Sequence, residues 1–168
     1  MLSQTAENFQ ESIKNIIQLL QGLQFTFELI EDEDEEWLIL GLIKTEIGQL
    51  RLTVYMQKTM SNFVLYLYHP LTVLQPLRLQ AAEFITRANY GLPVGNYELD
   101  FEDGELRFKI GLPVLTSPIT LAQFGQAIDI SLKTIVYYHT PLVRTLFDGV
   151  KPAVAIQEAE SKLLRNSE

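Results

Sequence analysis

The stretch from Tyr97 to Ile110 constrains the fold most, because two alternating runs flank an Asp-Gly pair. If Asp103-Gly104 is a two-residue turn, apolar residues meet on one face and opposite charges meet on the other. The apolar pairs are then Phe101 with Leu106, Leu99 with Phe108 and Tyr97 with Ile110, and the charged pairs are Asp100 with Arg107 and Glu98 with Lys109. A shift by one residue would mix the two sets. We therefore predict an antiparallel hairpin in this register.

Hydrophobic periodicity predicts helices and strands over most of the chain. Apolar residues recur at helical spacing in four segments, namely Gln4–Gln21, Pro76–Gly91, the long stretch that follows Thr120, and Ala153–Leu164. Four further segments have strand character: Phe25–Leu29, Trp37–Lys44, Gln49–Gln57 and Asn62–Tyr68. This order predicts an α+β domain in which an antiparallel sheet carries helices mainly on one face.

The C-terminal part contains one helix-breaking residue and one natural stop. Thr120 is a good N-cap for the long helix, whereas Pro141 removes a backbone donor inside it. We therefore expect either a kink or two helices that meet near residues 138–141. Gly149 then ends the helix, so residues 1–149 are expected to form a single domain and residues 150–168 a C-terminal helical tail.

A known family shares these features. The segment Asn89–Val114, with an Asn at a helix end, the Gly95–Asp100 entry and the Asp-Gly turn, resembles the YbjN family of bacterial proteins, which carry a sensory-transduction-regulator label. The long helix with Pro141 and its ending at Gly149 also fit. The resemblance implies a fold similar to type III secretion chaperones, a tendency to dimerise and binding of other polypeptides. It supplies no catalytic residues.

One departure from the family concerns the strand count. Four strand candidates precede the middle helix, where the chaperone-like pattern has three. The segment Phe25–Ile30 is therefore expected to be either a short edge strand or an extension of the first helix.

Composition and charge exclude several classes of function. The chain has no cysteine, so disulfide scaffolds and thiol catalysis are ruled out. Its net charge is −8 and its arginines are scattered, which argues against a nucleic-acid partner. The longest apolar run, Trp37–Ile43, is far shorter than the roughly 20 residues of a membrane span. The N-terminus lacks a secretory signal pattern, so we expect a cytoplasmic protein without membrane attachment.

Six of the 21 acidic residues form one run, namely Glu31, Asp32, Glu33, Asp34, Glu35 and Glu36. Outside this run, acidic and basic residues nearly balance. The run is expected to be a solvated connection that keeps a sheet edge soluble. A second interpretation is an electrostatic handle for a basic partner segment. A third is a divalent cation site, although the alternating ligands and the glycine of a calcium loop are missing.

No catalytic motif is present. The chain contains no Gly-rich phosphate loop, no GxSxG elbow and no HExxH helix. His69 and His139 are its only histidines, and neither has metal ligands at the usual spacing. We therefore predict no catalytic residues, no cofactor and no metal.

The tyrosines of two strands provide the strongest candidate for a binding surface. The strand Phe63–Tyr68 is apolar on both faces, whereas a one-sided sheet normally has a polar outer face. The candidate interface residues are Tyr55, Val64, Tyr66 and Tyr68. Tyrosine combines a large contact area with a polar tip and is enriched at protein interfaces. The alternative is that a helix of the same chain covers them.

The leading hypothesis is a non-enzymatic protein-binding or regulatory module, a homodimer that holds a partner polypeptide. The competing hypothesis is a small-ligand or metal-binding protein, with an unrecognised enzyme as one version. A third hypothesis, a structural subunit of a larger assembly, predicts the same sequence features as the first.

Overall fold

The computed structural model describes residues 2–31, 36–57, 62–114 and 116–165. In chain order the elements are α1 (Leu2–Gly22), β1 (Thr26–Glu31), β2 (Glu36–Thr45), β3 (Gly48–Gln57), β4 (Asn62–Tyr68), a 3₁₀ turn (Gln75–Leu77), α2 (Arg78–Gly91), β5 (Asn96–Leu99), β6 (Leu106–Pro113), α3 (Leu121–Phe147) and α4 (Pro152–Arg165). The strands form a six-stranded antiparallel sheet in the order β1-β2-β3-β4-β6-β5. The α+β class is confirmed.

The core lies between one face of the sheet and the helices. Every second residue of the central strands is buried on this face, as Phe63, Leu65 and Leu67 of β4 illustrate. Phe9 of α1 packs on Phe63 with ring centroids 4.9 Å apart. The helices contribute their predicted apolar stripes, which include Ile13, Ile16, Phe124, Ile128, Ile135 and Leu142.

The segment Phe25–Ile30 becomes the edge strand β1, not an extension of α1. The chain leaves α1 through Gln24, which adopts a left-handed conformation with φ 56°. The backbone N–H of Phe25 donates to the Leu20 carbonyl at 3.0 Å and closes this turn. Four strands therefore precede α2, as the alternation predicted.

The hairpin of β5 and β6 forms, but its predicted register is wrong by two residues. Leu99 pairs with Leu106 and Tyr97 with Phe108. The turn is longer than two residues because the carboxylates of Asp100 and Asp103 accept the N–H groups of Glu102 and Glu105, at 2.7 and 2.8 Å. A shift by two keeps the residues of β5 and β6 on their predicted faces, so Glu98 still lies beside basic residues. The predicted pairing of Phe101 with Leu106 is wrong, because Phe101 lies in the longer turn and is 51% exposed.

The asparagine at the end of α2 ties this helix to the hairpin. The Asn89 side chain donates to the Tyr97 carbonyl at 3.0 Å and accepts from the Tyr97 N–H at 2.7 Å. The Asn89 side chain therefore forms the pair of hydrogen bonds with β5 that a neighbouring strand residue would form.

Gly104 is needed in the loop between β5 and β6, because its φ is 83° and a Cβ there would lie 2.0 Å from the Val73 carbonyl oxygen.

The long helix α3 is continuous through Pro141, so the interpretation of two helices is wrong. Its N-terminus has the predicted Thr120 cap, with Gln123 donating its N–H to the Thr120 hydroxyl at 3.2 Å. Leu142, Thr145 and Leu146 are buried after the proline. Their packing holds the last turns in helical form although Pro141 lacks a backbone donor.

Helix α4 packs against α2 and α3. Ala155, Ile156 and Ala159 belong to the buried core, and Arg144 of α3 forms an ion pair with Glu158 at 2.6 Å. The division of the chain at Gly149 into a domain and a helical tail stays a prediction.

Candidate protein-binding surface

The four candidate interface residues lie together on the sheet face that is turned away from the helices. Val64, Tyr66 and Tyr68 alternate with the core residues of β4, and Tyr55 pairs with Val64 across β3 and β4. All four are half-buried. Among the described residues no helix packs on this face. We call this surface the open face.

One half of the open face is mainly apolar and is called the apolar half. The pairing register places these apolar residues of β1 to β4 on the same side of the sheet, together with Thr26, Glu28 and Thr53: Ile30, Leu38, Leu40, Leu42, Tyr55 and Val64. Leu42 is 47% exposed and Ile30 is 39% exposed. Contiguous exposed apolar residues on a sheet are unusual in a surface without a binding role.

The other half of the open face carries charged groups stacked on tyrosines. The Arg51 guanidinium lies 3.8 Å from the centroid of the Tyr68 ring, and the Arg107 guanidinium lies 4.2 Å from that of Tyr66. Lys109 approaches the Tyr66 ring at 5.9 Å. The faces of Tyr66 and Tyr68 are therefore partly covered by cations of neighbouring strands, in the geometry of a cation–π interaction.

Two carboxylates complete this charged half. Glu98 accepts hydrogen bonds from Arg107 at 2.8 Å and from Lys109 at 3.0 Å, and Glu105 forms an ion pair with Arg51. Burial alone would raise the pKa of Glu98, but the hydrogen bonds and charges of Lys109 and Arg107 outweigh it and lower the pKa. The cations and carboxylates of this half are therefore mostly paired with one another.

Sequence reasoning missed two groups of residues on the open face. Leu38, Leu40 and Leu42 belong to a run, Trp37–Ile43, whose apolar character on both faces was the available signal. The stacking of Arg51 and Arg107 on tyrosines gave no such signal, because it depends on the strand order β3-β4-β6.

The acidic run begins with the last residue of β1 and ends with the first residue of β2. Glu31 is exposed at the end of β1, and Glu36 is the first residue of β2. Ile30 and Leu38, the neighbouring positions of these strands, pair directly. Asp32, Glu33, Asp34 and Glu35 lie outside the described residues, so the three interpretations of the run remain predictions.

The two histidines meet between the sheet and α3. His69 Nε2 and His139 Nδ1 are 3.1 Å apart, and the Leu71 N–H donates to His69 Nδ1 at 3.1 Å. With Nδ1 an acceptor, neutral His69 carries its proton on Nε2 and donates it to His139. Burial and the neighbouring His139 lower the pKa of His69 from 6.5 to about 4. The pair is therefore neutral near pH 7.

A metal site would need more ligands than this pair offers. Within the described ranges, no three His, Asp or Glu side chains group together as a metal centre requires. The two facing histidine nitrogens are already engaged with each other.

No described helix has the length and apolar character needed to cross a membrane.

Comparisons with known proteins agree with this fold. The profile of the YbjN family, described as "Putative bacterial sensory transduction regulator", matches residues 12–140. No curated protein matches the chain. A chain in the crystal structure of the ExsC–ExsE complex is similar, with a TM-score of 0.56 and 12% sequence identity over 80% of this chain and 95% of that one. The expected chaperone-like fold is confirmed.

Proposed function

The chain belongs to the YbjN family, and from this premise we propose that it is a non-enzymatic protein-binding module that forms a homodimer and holds a partner polypeptide. The observation that supports this most is the apolar half of the open face, where Leu42 and Ile30 remain 47% and 39% exposed. Burying such side chains against another protein gains about 25 cal/mol for each Å² of apolar surface removed from water.

The structural likeness supports the same function. The similar chain was crystallised in a complex of ExsC with ExsE, so this fold can serve as a platform for a bound polypeptide. The absence of a motif for catalysis from the sequence is consistent with a regulatory or holding role in the bacterial cytoplasm.

The acidic run adds an electrostatic element to this proposal. Glu31, the first acid of the run, is exposed at the end of β1 next to the paired residues Ile30 and Leu38, so a partner segment that combines basic and apolar residues would find complementary charge beside apolar surface. Such a charge contributes more to the rate of association than to affinity, and its effect weakens with salt.

The experiment compares two leucine-to-lysine variants. Leu42→Lys places a charge in the apolar half of the open face, whereas Leu79→Lys does so on α2, where Leu79 is 79% exposed. We expect Leu42→Lys to lose self-association in sedimentation analysis and to recover less partner from a lysate of the source organism. Leu79→Lys is expected to behave as the wild type. Full assembly and partner recovery by a folded Leu42→Lys variant would contradict the proposal.

A further inference from the structure

A groove of about 750 Å³ opens on the helix side of the molecule, away from the open face. It lies between the end of α2, the middle of α3 and α4. Its walls include Leu92 and Pro93 after α2, and Val136, Tyr137 and Tyr138 on α3. The volume is in the range of about 300–1,000 Å³ that is typical of small-molecule sites, and the mostly apolar lining also fits one.

The phenol of Tyr138 lacks a hydrogen-bond partner in this groove. The residue is only 6% exposed, and its ring packs edge-on against Phe84, Tyr97 and Tyr137. No described residue forms a hydrogen bond with its hydroxyl. By contrast, Tyr97 donates to the Thr134 carbonyl at 3.0 Å and Tyr137 donates to the Ala159 carbonyl. The ring of Tyr138 is buried, but its hydroxyl is not among the buried polar atoms without a partner, so it is open to the groove and available for a ligand.

Glu160 places a carboxylate at the rim of the same groove. No described side chain forms an ion pair or hydrogen bond with its carboxylate. Lys133 in the groove and Arg87 beside it are engaged on their own helices, with Asp129 at 2.7 Å and Glu83 at 2.8 Å. The Glu160 carboxylate also affects the phenol of Tyr138. Burial first, and then the charge of Glu160, raise the pKa of Tyr138 to about 12.

Gly91 leaves room for this carboxylate. A Cβ at position 91 would lie 3.1 Å from Glu160 Oε1, closer than most side-chain contacts allow. The end of α2 therefore approaches Glu160 without covering it with a side chain of residue 91.

We propose that this groove binds a small organic cation, an amine carried on an aromatic or branched aliphatic body. The ammonium group donates to the Glu160 carboxylate and to the oxygen of Tyr138, and the apolar body packs on Leu92, Pro93 and Val136. Aromatic faces and a carboxylate together favour a cation, and the negative charge of Glu160 disfavours an anion. This site is separate from the proposed protein-binding surface, so either can fail without the other.

The test uses three probes of similar size that differ in charge. They are 2-phenylethylamine, which is a cation at pH 7, the neutral 2-phenylethanol and the anionic 3-phenylpropionate. Calorimetric titration of the full chain is expected to show the amine binding about tenfold more tightly than the alcohol, with the carboxylate weakest. Equal affinities for the amine and the alcohol, or no binding of the amine at millimolar concentrations, would overturn the proposal.

Two variants test whether Glu160 and Tyr138 contribute to amine binding. Glu160→Gln removes the charge and is expected to reduce the preference for the amine over the alcohol to about twofold or less. Tyr138→Phe removes the hydroxyl and is expected to weaken amine binding about threefold to tenfold, without loss of stability. The matched control is Glu11→Gln on the exposed side of α1, which should bind as the wild type does. Undiminished amine binding by both groove variants would refute the site.

Discussion

The two faces of strand β4 differ although their residues alternate along one short segment. Phe63, Leu65 and Leu67 are at most 1% exposed beneath the helices, whereas Val64, Tyr66 and Tyr68 lie half-buried on the open face. Both sets are apolar or aromatic. The difference therefore comes from what covers each face. Among the described residues, helices such as α1 and α3 pack on one side, and flanking side chains such as Arg51 and Arg107 lie over the tyrosines on the other.

This comparison separates residues that specify the fold from residues that are available for contacts. On the buried face each side chain has a fixed set of packing partners, so its loss leaves a cavity. On the open face, Leu42 and Ile30 gain little from the isolated fold and would gain more from a second chain.

The first prediction compares one substitution on the two faces. Leu65→Ala removes a fully buried side chain and is expected to lower the free energy of unfolding by about 2–5 kcal/mol. Leu42→Ala, on the open face, is expected to cost less than about 1 kcal/mol in dilute protein. Urea denaturation of both variants and the wild type measures the difference.

Protein concentration provides the control for this comparison. If the open face is covered in a homodimer, the cost of Leu42→Ala rises with protein concentration, because association stabilises only the folded chain. The cost of Leu65→Ala changes much less. Equal costs for the two variants in dilute protein would show that the face around Leu42 is not open.

The second prediction concerns the histidine pair that joins the end of β4 to α3. The pKa of His69 is lowered from 6.5 to about 4, so between these values the unfolded chain takes up a proton that the folded chain does not. Stability is therefore full above pH 6.5 and is lost progressively as the pH falls to about 4. The loss from this group is expected to be up to about 3 kcal/mol.

Comparison with His69→Gln isolates the contribution of the histidine from that of the carboxylates. Stability curves from pH 7.5 to pH 4 are measured for both proteins by urea denaturation. His69→Gln is expected to be less stable than the wild type near pH 7, because it loses the hydrogen bond between His69 and His139. Its free energy of unfolding is expected to fall less than that of the wild type as the pH is lowered. Parallel curves over the whole range would show that His69 titrates normally and that the pair does not link sheet and helix in the way described.

The sequence predicted the elements well where periodicity was strong, and failed where a side chain changed a local rule. The hairpin register slipped because Asp100 and Asp103 each accept a backbone N–H and lengthen the turn, an effect that no alternation pattern contains. The alternative in which Pro141 divides α3 into two helices is wrong, because tertiary packing of Leu142 and Leu146 holds the last turns helical. In both cases interactions beyond the local pattern decided the outcome.

Part of the candidate surface was predictable from the alternation of side chains along a strand. Alternation alone places Tyr55, Val64, Tyr66 and Tyr68 on one face once the strands are known. The position of the charged half was not predictable, because Arg51 and Arg107 come from strands that are neighbours of β4 only through the order of the sheet. The groove between α2, α3 and α4 likewise depends on helix packing that the sequence does not specify locally.

The third prediction tests whether the charged half of the open face is an organised network or an ordinary set of surface ion pairs. Glu98→Gln keeps the shape of the side chain but removes the carboxylate shared by Arg107 and Lys109. We expect a loss of about 1 kcal/mol at pH 7, since two cations lose their acceptor on a partly buried surface. Because the pKa of Glu98 is lowered, this stabilisation is present above the usual value of 4.5 and is lost as the pH falls below it.

The matched control for Glu98→Gln is Glu83→Gln, which breaks the exposed pair between Glu83 and Arg87 on α2. Pairs of this kind contribute about 0.3–0.5 kcal/mol, so the control should cost at most half as much. Thermal and urea denaturation at low and high salt give both values. If Glu98→Gln costs no more than Glu83→Gln at either salt concentration, the two halves of the open face differ only in composition. If it costs clearly more, the charged half is fixed in place by its own contacts, and the apolar half is the part of the face left to bind another chain.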